Sequence, residues 1–209
     1  MALAPVQEAS PRAVKAVFLD KDGTLIENLP YNVDPGRMRF AKGAVFCLRL
    51  LHDAGYGLVV VSNQSGVARG FFPESALDAV KERLTLMCLQ IGVPLLDFCF
   101  CPHHPEGIVA EYAVPCLCRK PAPGLILHAA RRHGIDLASS WLIGDILDDI
   151  AAGRKAGCRT ILINNGSETR WLLSGERIPD YFVADLAEAA LVIVARDKDG
   201  TGHARRGAA

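Results

Sequence analysis

Residues 13–24 read AVKAVFLDKDGT, and this short stretch decides the fold. Val17–Leu19 is a solid apolar run without polar alternation, which argues for a strand buried on both faces, as in a parallel sheet. The run stops at Asp20, Asp22 follows two residues later, and Gly23 permits the turn that would keep the two carboxylates near one point. A second DKDGT occurs at residues 197–201, with only GHARRGAA behind it. No later strand could complete a site there, so that copy is read as part of a tail.

Outward from the first strand, apolar runs alternate with amphipathic stretches. A helix is predicted over residues 43–54, stopped by Gly55 and Gly57, then a strand over 58–62 (LVVVS). A helix over 73–91 and a strand over 95–101 follow, then a long irregular segment to about Pro123. Beyond it the pattern gives a helix at 124–133, a strand at 141–145, a helix at 148–157, strands at 159–164 and 181–184, and a helix at 186–195. The expected class is α/β, a central parallel sheet with helices on both faces. In such sheets ligands bind beyond the carboxyl ends of the strands. Asp20, Ser62-Asn63 and Gly144-Asp145 end three of them and are expected to meet in one crevice.

The chain has 209 residues, enough for one full domain, expected over 13–196 between unordered ends at 1–12 and 197–209. Half of the residues are hydrophobic, too many for a disordered chain. Lys+Arg 23 against Asp+Glu 23 gives a net charge of +0, which excludes broad attraction to nucleic acid or anionic lipid, and RRH at 131–133 reads as a solvated helix face. No apolar run is long enough to span a bilayer, and the first residues lack a charged start followed by an apolar stretch, so a cytoplasmic, monomeric protein without membrane partners is expected.

Three further strings follow the first DKDGT in order: SNQSG at 62–66, RKP at 119–121 and GDILDD at 144–149. Between them lies CPHHPEGIVAEYAVPCLC, residues 101–118, which places Cys101 and His103 in one pair and Cys116 and Cys118 in another. Sulfur and imidazole donors at this spacing suit a closed, tetrahedral structural Zn²⁺, and the metal would offset the entropy of ordering a loop with little core of its own. Cys99 and His104 are rival ligands, with Cys99 more plainly a buried thiol in DFCFC; Cys47, Cys88 and Cys158 read as core thiols.

The four strings together resemble the haloacid dehalogenase superfamily of phosphotransferases, from Val17 to about Asp185. The resemblance implies a modified Rossmann-like sheet and a chemistry that fits the residue types. A phosphate ester repels a nucleophile, so a carboxylate attacker needs a divalent cation beside it. Asp20 would be the nucleophile and Asp22 the general acid and base. Mg²⁺ would be held by Asp20, the backbone carbonyl of Asp22 and Asp145, with Asp149 supporting from behind. Ser62 and the Asn63 amide would bind the phosphoryl group, and Lys120 would neutralise it.

Within that superfamily the CPHHP and CxC loop ahead of RKP is similar to the heptose-bisphosphate phosphatases, with histidinol-phosphate phosphatases as relatives. The similarity implies no large cap domain, a zinc-stapled loop, and a small phosphorylated metabolite as the ligand. Asn28, Tyr31, Ser62, Asn63, Gln64, Ser65, Arg119 and Lys120 would form the substrate side, with Arg119 placed for a second, distal phosphate. Two places depart from the pattern: Ile146 stands where relatives carry Lys or Arg, and Asn28-Leu29-Pro30-Tyr31 replaces a more polar loop. A monophosphate such as histidinol phosphate therefore stays open as the substrate, as does a binding module without turnover.

Overall fold

The computed structural model of the protein describes residues 13–204. Six strands, β1 (Ala16–Leu19), β2 (Gly57–Asn63), β3 (Asp97–Cys101), β4 (Trp141–Gly144), β5 (Arg159–Ile163) and β6 (Tyr181–Val183), form one sheet in the order β3-β2-β1-β4-β5-β6. Every neighbouring pair is parallel. Helices α1 (Ala44–Asp53), α2 (Ala76–Gln90), α3 (Gly124–His133), α4 (Leu147–Ala156) and α5 (Leu186–Ala204) make the crossovers and the close of the chain.

Side chains of successive strand residues point to opposite faces, so each apolar run feeds two cores. Val17, Leu19, Leu58, Val60, Trp141 and Ile143 pack with α1, α2 and α5 on one face. Ala16, Phe18, Val59, Val61 and Leu142 pack with α3 and α4 on the other. This double burial is why β1 and β2 show no polar alternation in sequence.

The strand order reverses between β1 and β4. After β1 the chain builds outward through β2 to β3, then returns to lay β4 on the other side of β1. The register pairs Leu19 with Val60 and with Ile143. Asp20 therefore leaves β1 beside the last residues of both neighbours, and its amide donates to the Ile143 carbonyl at 3.0 Å. That reversal point is where open α/β sheets bind ligands.

Two boundaries differ by more than two residues from the sequence reading. Helix α2 begins at Ala76, because residues 73–75 form a turn closed by the Ala76 amide on the Pro73 carbonyl. Helix α5 runs to Ala204, so the expected unordered tail from 197 is helical over its first part. Asp197 anchors it, accepting from Lys15 Nζ at 2.6 Å and from the Tyr56 hydroxyl at 2.7 Å. The second DKDGT lies inside this helix. Residues 1–12 and 205–209, where unordered ends were expected, lie outside the described residues.

No second domain interrupts the described chain, and its longest irregular connection between β3 and α3 is the cysteine-rich segment. Among the described residues no helix is long and apolar enough to cross a membrane.

Candidate active site

Three carboxylates meet at the reversal point. Asp20 follows β1, Asp145 follows β4 and Asp149 stands in the first turn of α4; one oxygen of each lies within 4.8 Å of the others. Lys120 enters from the irregular segment, with Nζ 2.5 Å from Asp20 Oδ1, 2.6 Å from Asp149 Oδ1 and 2.9 Å from the Val61 carbonyl. All four residues are buried.

The electrostatics of this group are unbalanced. One ammonium faces three carboxylates, and burial favours the neutral acid. Burial, reinforced by Asp149, pushes the Asp145 carboxyl up to about 6, and burial raises Asp20 well above its ordinary range despite Lys120. Lys120 moves the other way: burial opposes its charge, but Asp149 and Asp20 outweigh that and hold it protonated. Oxygen donors with excess negative charge are what a hard divalent cation takes, so the residues present fit Mg²⁺.

Two glycines allow this crowding. Gly23 has φ +86°, and a Cβ there would stand 2.1 Å from Asp145 Oδ2. A Cβ on Gly144 would meet the Asp149 side chain at 2.3 Å. The Thr24 hydroxyl donates to Asp145 Oδ1 at 3.3 Å, and the Ser167 hydroxyl also bonds this carboxylate.

A second group lies beside the first. The Asp22 carboxylate is turned away from the trio and accepts from Lys21 Nζ at 2.6 Å and Gln64 Nε2 at 3.0 Å. Gln64 Nε2 also donates to Ser62 Oγ at 2.7 Å. The Asn63 side chain holds the backbone of Lys120, donating to its carbonyl and accepting from its amide, both at 3.0 Å. This reciprocal pair fixes the loop that delivers Lys120. Asp22, Asn28, Tyr31, Asn63, Gln64 and Ser65 line a cavity of about 100 Å³, whereas Ser62, Arg119 and Lys120 are not among its lining residues. Tyr31 sits in the left-handed region at φ 55° and packs edge-on against Phe71, with ring centroids 4.7 Å apart.

Cys101, His103, Cys116 and Cys118 come together as one cluster. The sulfurs of Cys101 and Cys118 are 3.1 Å apart, those of Cys116 and Cys118 3.3 Å, and His103 Nδ1 is 3.4 Å from the Cys118 sulfur. A zinc–sulfur bond of about 2.3 Å would set tetrahedral neighbours about 3.8 Å apart. The cluster therefore needs only a slight expansion around an ion. Burial pushes the Cys116 thiol up, but hydrogen bonds from Cys118 and the Arg119 amide outweigh it and hold the group below the ordinary thiol range. Cys99 stays out of the cluster, a buried thiol pushed up to about 12, as are Cys47, Cys88 and Cys158. The Arg119 guanidinium donates to the His103 carbonyl at 3.4 Å, tying it to the cluster.

Sequence reasoning gave no part to Lys21, Thr24, Ser167 or Glu168. Lys21 and Thr24 lie inside DKDGT, where their spacing was the available signal. Ser167 and Glu168 belong to a loop without periodicity, and only the fold brings them back to α4, where Glu168 Oε2 accepts the Leu147 amide at 2.7 Å.

Comparison with known proteins agrees with this geometry. The HAD-hydrolase-like family model matches residues 117–189. The D-glycero-beta-D-manno-heptose-1,7-bisphosphate 7-phosphatase of Yersinia pestis is 37% identical over 188 residues, covering 90% of this chain and 99% of the relative. The alpha-anomer enzyme of Photorhabdus laumondii is 36% identical over 75% of this chain and 86% of its own. The crystal structure of the D,D-heptose 1,7-bisphosphate phosphatase of B. bronchiseptica, complexed with magnesium and phosphate, superposes with a TM-score of 0.72 at 28% identity, covering 88% of this chain and 99% of that one. With a parallel sheet of this order, acidic residues at its reversal point and relatives matched almost end to end, the chain belongs to the haloacid dehalogenase-like hydrolases, in the family of the heptose-1,7-bisphosphate 7-phosphatases.

Proposed function

We propose that this protein is a Mg²⁺-dependent phosphatase that removes the 7-phosphate of D-glycero-D-manno-heptose 1,7-bisphosphate and leaves the 1-phosphate. The observation that carries the reading is the meeting of Asp20, Asp145 and Asp149 with the Lys120 ammonium at one point. The names of the relatives supply the substrate class.

Asp20 is the nucleophile. Its carboxylate oxygen forms a bond to phosphorus as the ester P–O bond breaks, and Asp22 delivers a proton to the departing sugar oxygen. The aspartyl-phosphate is then attacked by water, which gives its proton to Asp22; inorganic phosphate leaves and both carboxyls are restored. Lys120 and the Ser62 hydroxyl stabilise charge on the phosphoryl oxygens, where preorganised donors act most strongly. Asp20, Asp145 and the Asp22 carbonyl would hold Mg²⁺, which supplies charge neutralisation between nucleophile and phosphate when bound. Asp149 acts through Lys120, whose ammonium it anchors. Cys101, His103, Cys116 and Cys118 would hold Zn²⁺, keeping Arg119 at the crevice mouth for the distal phosphate. Thiol ligands of this kind are retained in a reducing compartment, which supports the cytoplasm, and no second copy is needed to complete the site.

A second reading has its own observation. Ile146 caps α4 with no charge, and the nearby Glu168 carboxylate already occupies the Leu147 amide. Both disfavour a second phosphate on that side of the crevice, which fits a monophosphate such as histidinol phosphate. The test is steady-state phosphate release from the two heptose bisphosphate anomers and from histidinol phosphate, with Mg²⁺ and after chelation. A kcat/KM at least about tenfold higher for a bisphosphate, lost on chelation, is the expected result. Preference for histidinol phosphate supports the second reading, and no turnover of any ester overturns both.

A further inference from the structure

Gln64 belongs to the SNQSG string, where the sequence places it among the substrate contacts, but its side chain is engaged elsewhere. An amide nitrogen carries two hydrogens, and Gln64 Nε2 uses both, at 2.7 Å to Ser62 Oγ and 3.0 Å to Asp22 Oδ2. The orientation is forced, because a flipped amide would set its oxygen against the carboxylate. Gln64 is itself buried, and its backbone amide donates to the Cys101 carbonyl at 2.8 Å, so it is fixed to the end of β3. On the far side of Asp22, the buried Lys21 ammonium holds Oδ1 at 2.6 Å.

We infer that Gln64 is a positioning residue and not a substrate contact: its amide ties the Asp22 carboxyl to the Ser62 hydroxyl, while Lys21 clamps the other Asp22 oxygen. This rests on Asp22 being the proton donor proposed above. Two consequences follow from the donor and acceptor roles. Ser62 Oγ, having accepted the Gln64 N–H, keeps its own hydrogen for an acceptor in the crevice, which is what a phosphoryl oxygen requires. The Asp22 carboxyl, with a donor on each of its oxygens, is held in one orientation in the crevice. In the first step the Asp22 O–H bond breaks as the new O–H bond of the leaving alcohol forms, and in the second step a water proton returns to Asp22.

The experiment is a double-mutant cycle of Gln64→Met and Asp22→Asn, read with two esters in the Mg²⁺-loaded enzyme. A heptose phosphate has a poor leaving group that needs the proton; p-nitrophenyl phosphate has a good one that scarcely does. Gln64→Met is expected to lower kcat for the heptose ester by about 30- to 100-fold with KM within about threefold, a share of what general acid catalysis supplies. The loss on p-nitrophenyl phosphate is expected to stay below about fivefold, and in the Asp22→Asn background Gln64→Met is expected to cost below about threefold. Gln64→Leu, which removes the donors without adding a charge, serves as the second variant if the first fails to fold, with the same pattern expected. A raised KM with unchanged kcat, equal losses on both esters, or additive losses in the cycle would overturn the inference. Failure of the wild-type protein to turn over any ester would instead strike the proposed function itself.

Discussion

Gly23 shows how little freedom the site leaves a single residue. Its backbone is left-handed and its missing side chain is space that Asp145 occupies. Gly23→Ala is expected to cost twice, through backbone strain and through displacement of Asp145. Calorimetric titration with Mg²⁺ should show affinity reduced by at least about tenfold, alongside a stability loss of about 1–3 kcal/mol in denaturant unfolding. Retention of wild-type affinity would mean that Asp145 is not a ligand. At this scale the sequence was informative where a residue closes a strand. Asp20 and Asp145 were legible because an apolar run ends on each, whereas Ser167 and Glu168 were not, since nothing local marks a loop residue whose partner lies across the fold. The burial of Lys21 was also hidden: a lysine between two aspartates reads as solvated until the fold closes over it.

Elements carry two further expectations. The segment from Cys101 to Cys118 has almost no regular structure, and its internal order depends on four side chains meeting. Chelation of zinc, or Cys118→Ser, is expected to lower the melting temperature by several degrees and to reduce kcat without Mg²⁺ rescue, because Lys120 lies two residues beyond the cluster. Thermal unfolding with metal analysis checks this; unchanged Tm in a metal-free protein would remove the staple. The other expectation concerns the join between β3 and α3. Burial raises the Asp97 carboxyl, but His133, the Phe98 amide and Arg132 outweigh it and hold the group below its ordinary value. A depressed carboxyl contributes stability above its unfolded pKa, and that contribution is lost as pH falls through the folded value. Asp97→Asn should therefore lower Tm at about pH 7, with the gap to wild type closing near about pH 3. A gap of equal size at both values would contradict the assignment. Strand positions were legible from apolar runs and helices from periodicity, but the length of α5 was not: its last turns are polar, and their anchor, Asp197 on Lys15 and Tyr56, pairs residues more than a hundred positions apart.

Two apolar cores hold a sheet whose order reverses beside β1, and the reversal brings together carboxylates from residues 20, 145 and 149 with an ammonium from residue 120. The architecture was legible in the alternation of runs and helices; the identity of the ester acted on is written in side chains at the rim, where Ile146 and Glu168 weigh against a second phosphate and Arg119 weighs for one.

The proposed reaction turns on phosphorylation of Asp20 during turnover. Borohydride reduction of the protein quenched during turnover of the heptose bisphosphate, followed by peptide mass spectrometry, tests it directly, since an acyl phosphate is reduced to an alcohol. Homoserine at position 20, dependent on Mg²⁺ and absent from Asp20→Asn, is the expected result. Turnover with residue 20 unmodified, or with the reduced group at another carboxylate, would contradict it.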